Sequence, residues 1–356
     1  MNTLRNIFSV NAPTNKNRIL ILDYIRGILI MLVLYHHSGA PFSLYVLQFH
    51  MPALFLLSGY TEFILNKKVS FFDYVKSRFL RLIIPYLFFE AANLILFVGI
   101  QIFSGTLDVL FVDAIKSIVE CTNNSYIGLY GRLWFLPAMF VCSIFSYIIK
   151  NMIANNKPFV IAIFIAGMIA CSYTSCYLIP FRLPFTIDIA FLGTAFFLAG
   201  HLCGKCINQY LNIKKHVYDI VLLAAFSVLF IICNMFAYPV CHMFANQYND
   251  FLFMIISATS GTALVFIFVK MLTPLLQKAH LINNIIVWYS VNSLATFPVH
   301  LTIKVFCIPI LLHFGFYHWT ILLGVMLFLT VPIVNIITQS FPFMLGYIKT
   351  RSKASK

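Results

Sequence analysis

Residues 22–37 read LDYIRGILIMLVLYHH, an apolar helix-length run with Asp23 and Arg26 near one end and His36 and His37 at the other. With its flanks it extends over 20–40, and about 20 apolar residues span a hydrocarbon core about 30 Å thick. The same ruler finds nine more such runs, at 44–65, 80–103, 132–151, 158–179, 186–204, 218–238, 251–272, 283–303 and 319–340. The short apolar stretch 305–318 either extends the ninth span or lies in the interface. Composition agrees: of 356 residues 61% are apolar and 10% charged, against about 25% charged in a soluble domain. That excludes a cytosolic enzyme, a disordered chain and a disulfide-stapled secreted domain. The expected fold is an all-α polytopic membrane helix bundle of about ten transmembrane helices. It divides into a cytoplasmic segment 1–19, a transmembrane domain 20–345 and a basic tail 346–356.

An even number of spans puts both termini on one side, and basic residues choose the side. Of the 24 Lys and Arg, Arg26 and Lys304 fall within spans. With both termini cytoplasmic, Lys116, Arg132 and Arg182 alone face outward and the other 19 face inward. The net charge of +14 is thus spread over the inner loops and forms no stripe for nucleic acid. Asp23 and Arg26 interrupt the first run, and no clean A-x-A site follows it, which argues against a cleaved signal peptide. Among nine Cys, Cys203 and Cys206 have C-x-x-C spacing but no matching second pair. No metal site is expected, and the cysteines read as small apolar fillers. The longest outer loop, 104–131, carries Asp108, Asp113, Glu120 and the polar run 122–125, and reads as a lid or short helix over the outer mouth.

A charge within a span costs about 2.5–3.5 kcal/mol on insertion scales and so calls for a reason. Arg26 and His37 are eleven residues apart, which at 100° per residue ends about 20° past three full turns, so both share one face. At 1.5 Å per residue they lie about 16 Å apart along the axis. Asp23 is spaced to pair with Arg26, while His36 points about 100° away. Two readings fit: a structural Asp–Arg pair with an interfacial His, or a cavity with an anion site below and a base above. An imidazole suits the second role because its ordinary pKa lies near neutrality.

The Arg-Gly-x9-His pattern at 26–37 resembles the opening helix of the membrane acyltransferase-3 family. Phe49-His50-Met51-Pro52 and Leu57-Ser58-Gly59-Tyr60 continue the resemblance, as do Arg78-Phe79-Leu80-Arg81, Pro85-Tyr86 and Leu133-Trp134-Phe135-Leu136-Pro137. Weaker echoes occur at 184–188, 246–248 and 291–294, the last followed by His300. Together these look most like the sugar O-acetylase branch. The resemblance implies transfer of an acyl group, usually acetyl, from cytoplasmic acyl-CoA to a hydroxyl of a cell-surface or lipid-linked glycan. It implies no metal.

With that resemblance, His37 becomes the catalytic candidate, either as general base or as a covalent acyl carrier. No Ser-centred nucleophile elbow is visible. Arg78 and Arg81, spaced i and i+3, are either a positive-inside anchor or a guanidinium pair for the phosphates of acyl-CoA. Arg26, deeper along the same path, would clamp the pyrophosphate or orient the thioester arm, and Lys67, Lys68 and Lys76 would steer. His50 is an interfacial His or an acceptor-binding group, and Trp134 a belt residue or a stacking platform. Glu90, near mid-membrane, is a cavity group or a bundle-internal hydrogen-bonder, with His201 and Lys304 as candidate partners. Arg132 and Arg182 meet an anionic acceptor or anchor to headgroups. The rival class is a transporter or flippase using Arg26 and His37 as substrate or proton-relay groups. It requires repeat symmetry and interrupted helices in matching halves, which the sequence lacks, and leaves Arg78-x-x-Arg81 unexplained. The expected location is the cell membrane, with compact length and absent eukaryotic targeting signals favouring a bacterial inner membrane. No pattern sets an oligomeric state.

Overall fold

Lipid offers no hydrogen bonds, so a spanning chain satisfies its own backbone, and an apolar chain of this length does so with helices. The structure, a computed structural model, describes residues 19–105, 115, 117–119, 121, 133–153, 157–237 and 240–342. Thirteen α-helices lie among them. These are α1 Leu20–His37, α2 Ser43–Leu65, α3 Phe71–Arg78, α4 Ile84–Ser104, α5 Phe135–Met152, α6 Pro158–Tyr177 and α7 Ile187–Leu202. There follow α8 Gly204–Asn212, α9 His216–Phe236, α10 Phe251–Lys278, α11 His280–Val291, α12 Ser293–His313 and α13 Trp319–Ser340. A π-helical turn, Phe79–Ile83, joins α3 to α4. Two-residue strands, β1 Cys241–His242 and β2 Gln247–Tyr248, form a small antiparallel hairpin.

The membrane bundle expected from the sequence is present. Nine helices among the described residues are long and apolar enough to cross a bilayer. The 23-residue α2 is a tenth long helix; Gln48, His50, Ser58, Thr61 and Glu62 lower its hydropathy. The third span starts earlier than expected, because α3 runs through the π turn into α4. The ninth differs more. Residues 283–303 are not one helix: the chain breaks at Asn292, and the crossing helix is α12, which absorbs most of 305–318. The expected segment 1–19 is described only at Ile19, and the tail 346–356 lies outside the described residues. Within the expected lid, Asp108, Asp113, Glu120 and 122–125 likewise lie outside them, as do Lys116 and Arg132.

Helix α2 is the hub. It packs against α1, α7 and α10, while α6 and α5 pack on α7, α9 on α10, α11 on α1 and α13 on α12. Burial follows: 67% of the α7 span is buried, but only 17% of α6 and 11% of α9, which form the lipid-facing rim. The α2–α7 contact is backbone on backbone. A Cβ at Gly59 would lie 1.8 Å from the Phe197 carbonyl oxygen, and one at Gly200 2.0 Å from that of Leu56. Small residues let membrane helices approach this closely. Gly59→Ala and Gly200→Ala should each destabilise the bundle by about 1–3 kcal/mol through overpacking, read as a lower melting temperature in detergent. Gly99→Ala, whose Cβ meets nothing within 4 Å, should not lower it.

Candidate functional site

Helix α1 lies between α2 on one side and α11 and α12 on the other, so side chains 100° apart on α1 meet different neighbours. At its outer end the His36 ring lies 5.5 Å from that of His50 on α2, while the His37 ring lies 5.1 Å from that of His300 on α12. The His36 and His37 centroids are 5.1 Å apart. Four imidazoles therefore form one cluster, and His36 belongs to it despite pointing away from His37.

Three of the four are fixed by main-chain carbonyls: His36 Nδ1 to Ser43 O (3.0 Å), His50 Nδ1 to Val46 O (2.7 Å) and His300 Nδ1 to Thr296 O (3.0 Å). A carbonyl only accepts, so each Nδ1 carries a hydrogen, and in the neutral ring Nε2 then keeps the lone pair. His37 is half-buried, and no described residue hydrogen-bonds it. Lys304, one turn along α12 from His300, is within electrostatic reach of His36, His37 and His300. Among the described residues, no group of three or more His, Cys, Asp or Glu is placed to hold a metal ion. A pocket lined by Phe42, Ser43, Leu44, Tyr45 and Gln48 opens beside His36.

A row of aromatics leads away from the cluster. Phe297 lies 5.8 Å from the His300 ring, Phe135 5.1 Å from Phe297 and Trp134 6.0 Å from Phe135. Phe135 also packs at 5.2 Å on Phe55, midway along α2. Trp134 thus stands at the end of an aromatic row that reaches the middle of α2 through Phe135. Glu90 is wholly buried, and its Oε1 accepts the Leu133 backbone N–H at 3.1 Å. It thereby satisfies an orphan donor at the start of α5 and fixes the chain where Trp134 departs.

The β hairpin borders the same mouth. The imidazole of His242 lies within electrostatic reach of His36. Burial holds His242 below its ordinary pKa and pushes the Cys241 thiol up to about 12, so both are neutral at pH 7. Arg182 is spent here: it pairs with the buried carboxylate of Asp188 and donates to the Phe244 carbonyl at 3.0 Å. The outward anion site or headgroup anchor expected of Arg182 is replaced by a clamp on the hairpin. All nine cysteines are free thiols, Cys203 and Cys206 included.

At the opposite end, Asp23 accepts the Ser290 hydroxyl (2.9 Å) and Tyr24 donates to Asn283 (2.7 Å), tying α11 to α1 below Arg26. Arg26 itself is half-buried. Arg78 turns inward: its Nη2 is 3.3 Å from Glu62 Oε2, and its guanidinium lies 5.0 Å over the Tyr74 ring. Glu62 also pairs with Lys150 and accepts from Tyr74 Oη at 2.9 Å. Arg81, within the π turn, is exposed. The two guanidiniums therefore do not act as neighbours on one face. His201 lies by Phe63 (5.7 Å), within reach of Lys150 and Glu62, and so is no partner for Glu90.

The sequence reading assigned no role to Glu62 or Lys150, and left His300 as an echo. A carboxylate near the inner end of a span, and the i, i+4 pair His300 and Lys304 within another, were the available signals.

A family model described as an acyltransferase domain matches residues 19–338. No curated protein and no solved structure matches the chain.

Glu62 holds two cations at one half-buried point. Glu62→Ala should leave Lys150 uncompensated and destabilise the protein by about 3 kcal/mol, seen as a lower melting temperature, whereas Glu62→Asp should recover part of the loss.

Proposed function

Because this chain belongs to the membrane acyltransferase-3 family, and is therefore a multi-pass membrane acyltransferase, we propose that it carries out a cross-membrane O-acetylation. The donor is cytoplasmic acyl-CoA, with acetyl the favoured group. The acceptor is a hydroxyl of a cell-surface or lipid-linked glycan, and the setting a bacterial inner membrane. The observation that carries this reading is His37: a half-buried imidazole, hydrogen-bonded by no described residue, on the same α1 face as Arg26 and in ring contact with His36 and His300.

In this reaction the acceptor hydroxyl attacks the thioester carbonyl while His37 takes its proton. The C–O bond forms, the C–S bond breaks, and the proton passes from His37 to the departing thiolate of CoA. A positioned base of this kind contributes about 10²–10⁴-fold. Arg81, exposed at the cytoplasmic face, meets the donor phosphates first. Arg78 supplies a second guanidinium, part of whose charge is held by Glu62 until phosphate oxygens compete for it. Arg26 lies farther along α1 towards His37 and orients the pyrophosphate end of the arm. On the outer side, His50 and Trp134 contribute to the acceptor space, and Glu90 acts by holding the Leu133–Trp134 turn.

Two outcomes test the reading with purified protein in liposomes, acetyl-CoA and a mixed glycan extract, following free CoA with a thiol reagent. His37→Ala should abolish acceptor-dependent release while leaving acetyl-CoA binding intact. Arg78→Ala and Arg81→Ala should each weaken acetyl-CoA binding about 10- to 100-fold, the worth of a charge-assisted hydrogen bond. Wild-type turnover in His37→Ala would remove it from the mechanism, and a wild-type protein that binds no acyl-CoA would refute the donor.

A further inference from the structure

We infer that His300 is the positioning residue of the site: its Nε2 accepts the hydrogen of one His37 ring nitrogen and so leaves the other as the base. This rests on the assignment of His37 as proton acceptor.

The His300 side chain is wholly buried. Its Nδ1 hydrogen is committed to the Thr296 carbonyl at 3.0 Å, which fixes the ring as the tautomer with an unprotonated Nε2. That Nε2 is buried with no hydrogen-bond partner among the described residues. A buried polar atom left unmade costs about 1–3 kcal/mol, so a donor is called for. The His37 ring lies 5.1 Å away, with its plane tilted 41°. Two imidazoles joined by one N–H···N bond of about 2.9 Å have centroids about 5 Å apart. Rotation of the His37 ring therefore closes the bond without moving either helix.

The alternatives are weaker. His36 is equally near His37, but its ring is only half-buried and its Nδ1 is already held by the Ser43 carbonyl at 3.0 Å. His50 lies against His36 instead. His300 would thus do for His37 what the carboxylate does in a Ser-His-Asp triad, holding the ring in the working tautomer and stabilising its protonated form, but with an uncharged acceptor suited to the membrane interior.

Two variants separate this role from packing. His300→Asn keeps a donor near the Nδ1 position for the Thr296 carbonyl and deletes the Nε2 acceptor. His300→Gln places an amide oxygen near the Nε2 position and gives up the Thr296 bond. In the acetyl-CoA and glycan-extract assay, His300→Asn should lower kcat about 10- to 100-fold with the KM for acetyl-CoA unchanged within about twofold. His300→Gln should stay within about fivefold of wild type. If His300→Asn fails to accumulate in the membrane, His300→Leu carries the same expectation. Wild-type kcat in His300→Asn, or an equal loss in His300→Gln, would overturn the inference. His37→Ala, measured alongside, separates the two failures. Full activity there refutes the base, whereas inactivity there with an active His300→Asn refutes only the positioning role.

Discussion

No polar side chain in this bundle can be left facing hydrocarbon, and that constraint sorts its chemistry into place. Lipid neither solvates a charge nor completes a hydrogen bond, so the buried ionisable residues of the spans find partners on other helices or on the backbone. On α2 this puts His50 among imidazoles near one end and Glu62 between two cations near the other. Those residues are twelve apart, about 18 Å of helix. On α1, Asp23 bonds to α11 while His37 faces α12. The close crossing of α2 on α7 keeps the hub rigid enough for both clusters to hold their shape. The bundle therefore carries polar groups towards both ends of α2, with aromatic packing such as Phe55 on Phe135 between them.

Much of the bundle was legible because hydropathy and helix pitch are local properties. Ten runs of about 20 residues foretold ten long helices, and the eleven-residue step from Arg26 to His37 gave one face of α1. The break at Asn292 was not legible, since Ser290, Asn292 and Ser293 are polar but small enough to sit within a helix, and no Pro or Gly marks the bend. His36 was set aside on a correct angle: 100° matters on an isolated helix, but α1 has a partner on each side. For Glu90 a side-chain partner was expected, and a backbone N–H, that of Leu133, donates to its Oε1. Backbone donors at helix starts carry no sequence signature. Arg182 looked outward by topology, yet Asp188, six residues on, neutralises it.

The family match over residues 19–338 covers nearly every described helix, and the short motifs distribute themselves within it unequally. Arg26 to His37 lies wholly on α1, where spacing in sequence is spacing along an axis. Arg78 and Arg81 straddle the end of α3 and a π turn, where an i, i+3 step no longer means a shared face. The same two letters of sequence therefore carry different geometrical content in the two places. Arg78 is drawn to Glu62 and Tyr74, and Arg81 remains at the surface.

The π turn has a consequence for how the long third helix can change over time. An α-helix is a single shaft, so rotating one end rotates the other. An i→i+5 turn inserts a residue into that shaft and makes it two coaxial pieces with separately adjustable phase. The piece before the turn, α3, is set by Tyr74 packing at 4.6 Å on Tyr147 and by Arg78 on Glu62, and the piece after it, α4, by Glu90 and by Asn93, which accepts from Thr302 on α12. Selection can therefore retune α3 by substitution without re-aiming Glu90, which lies twelve residues, about 18 Å of helix, beyond Arg78. The two ends of this helix are, in that sense, separately heritable.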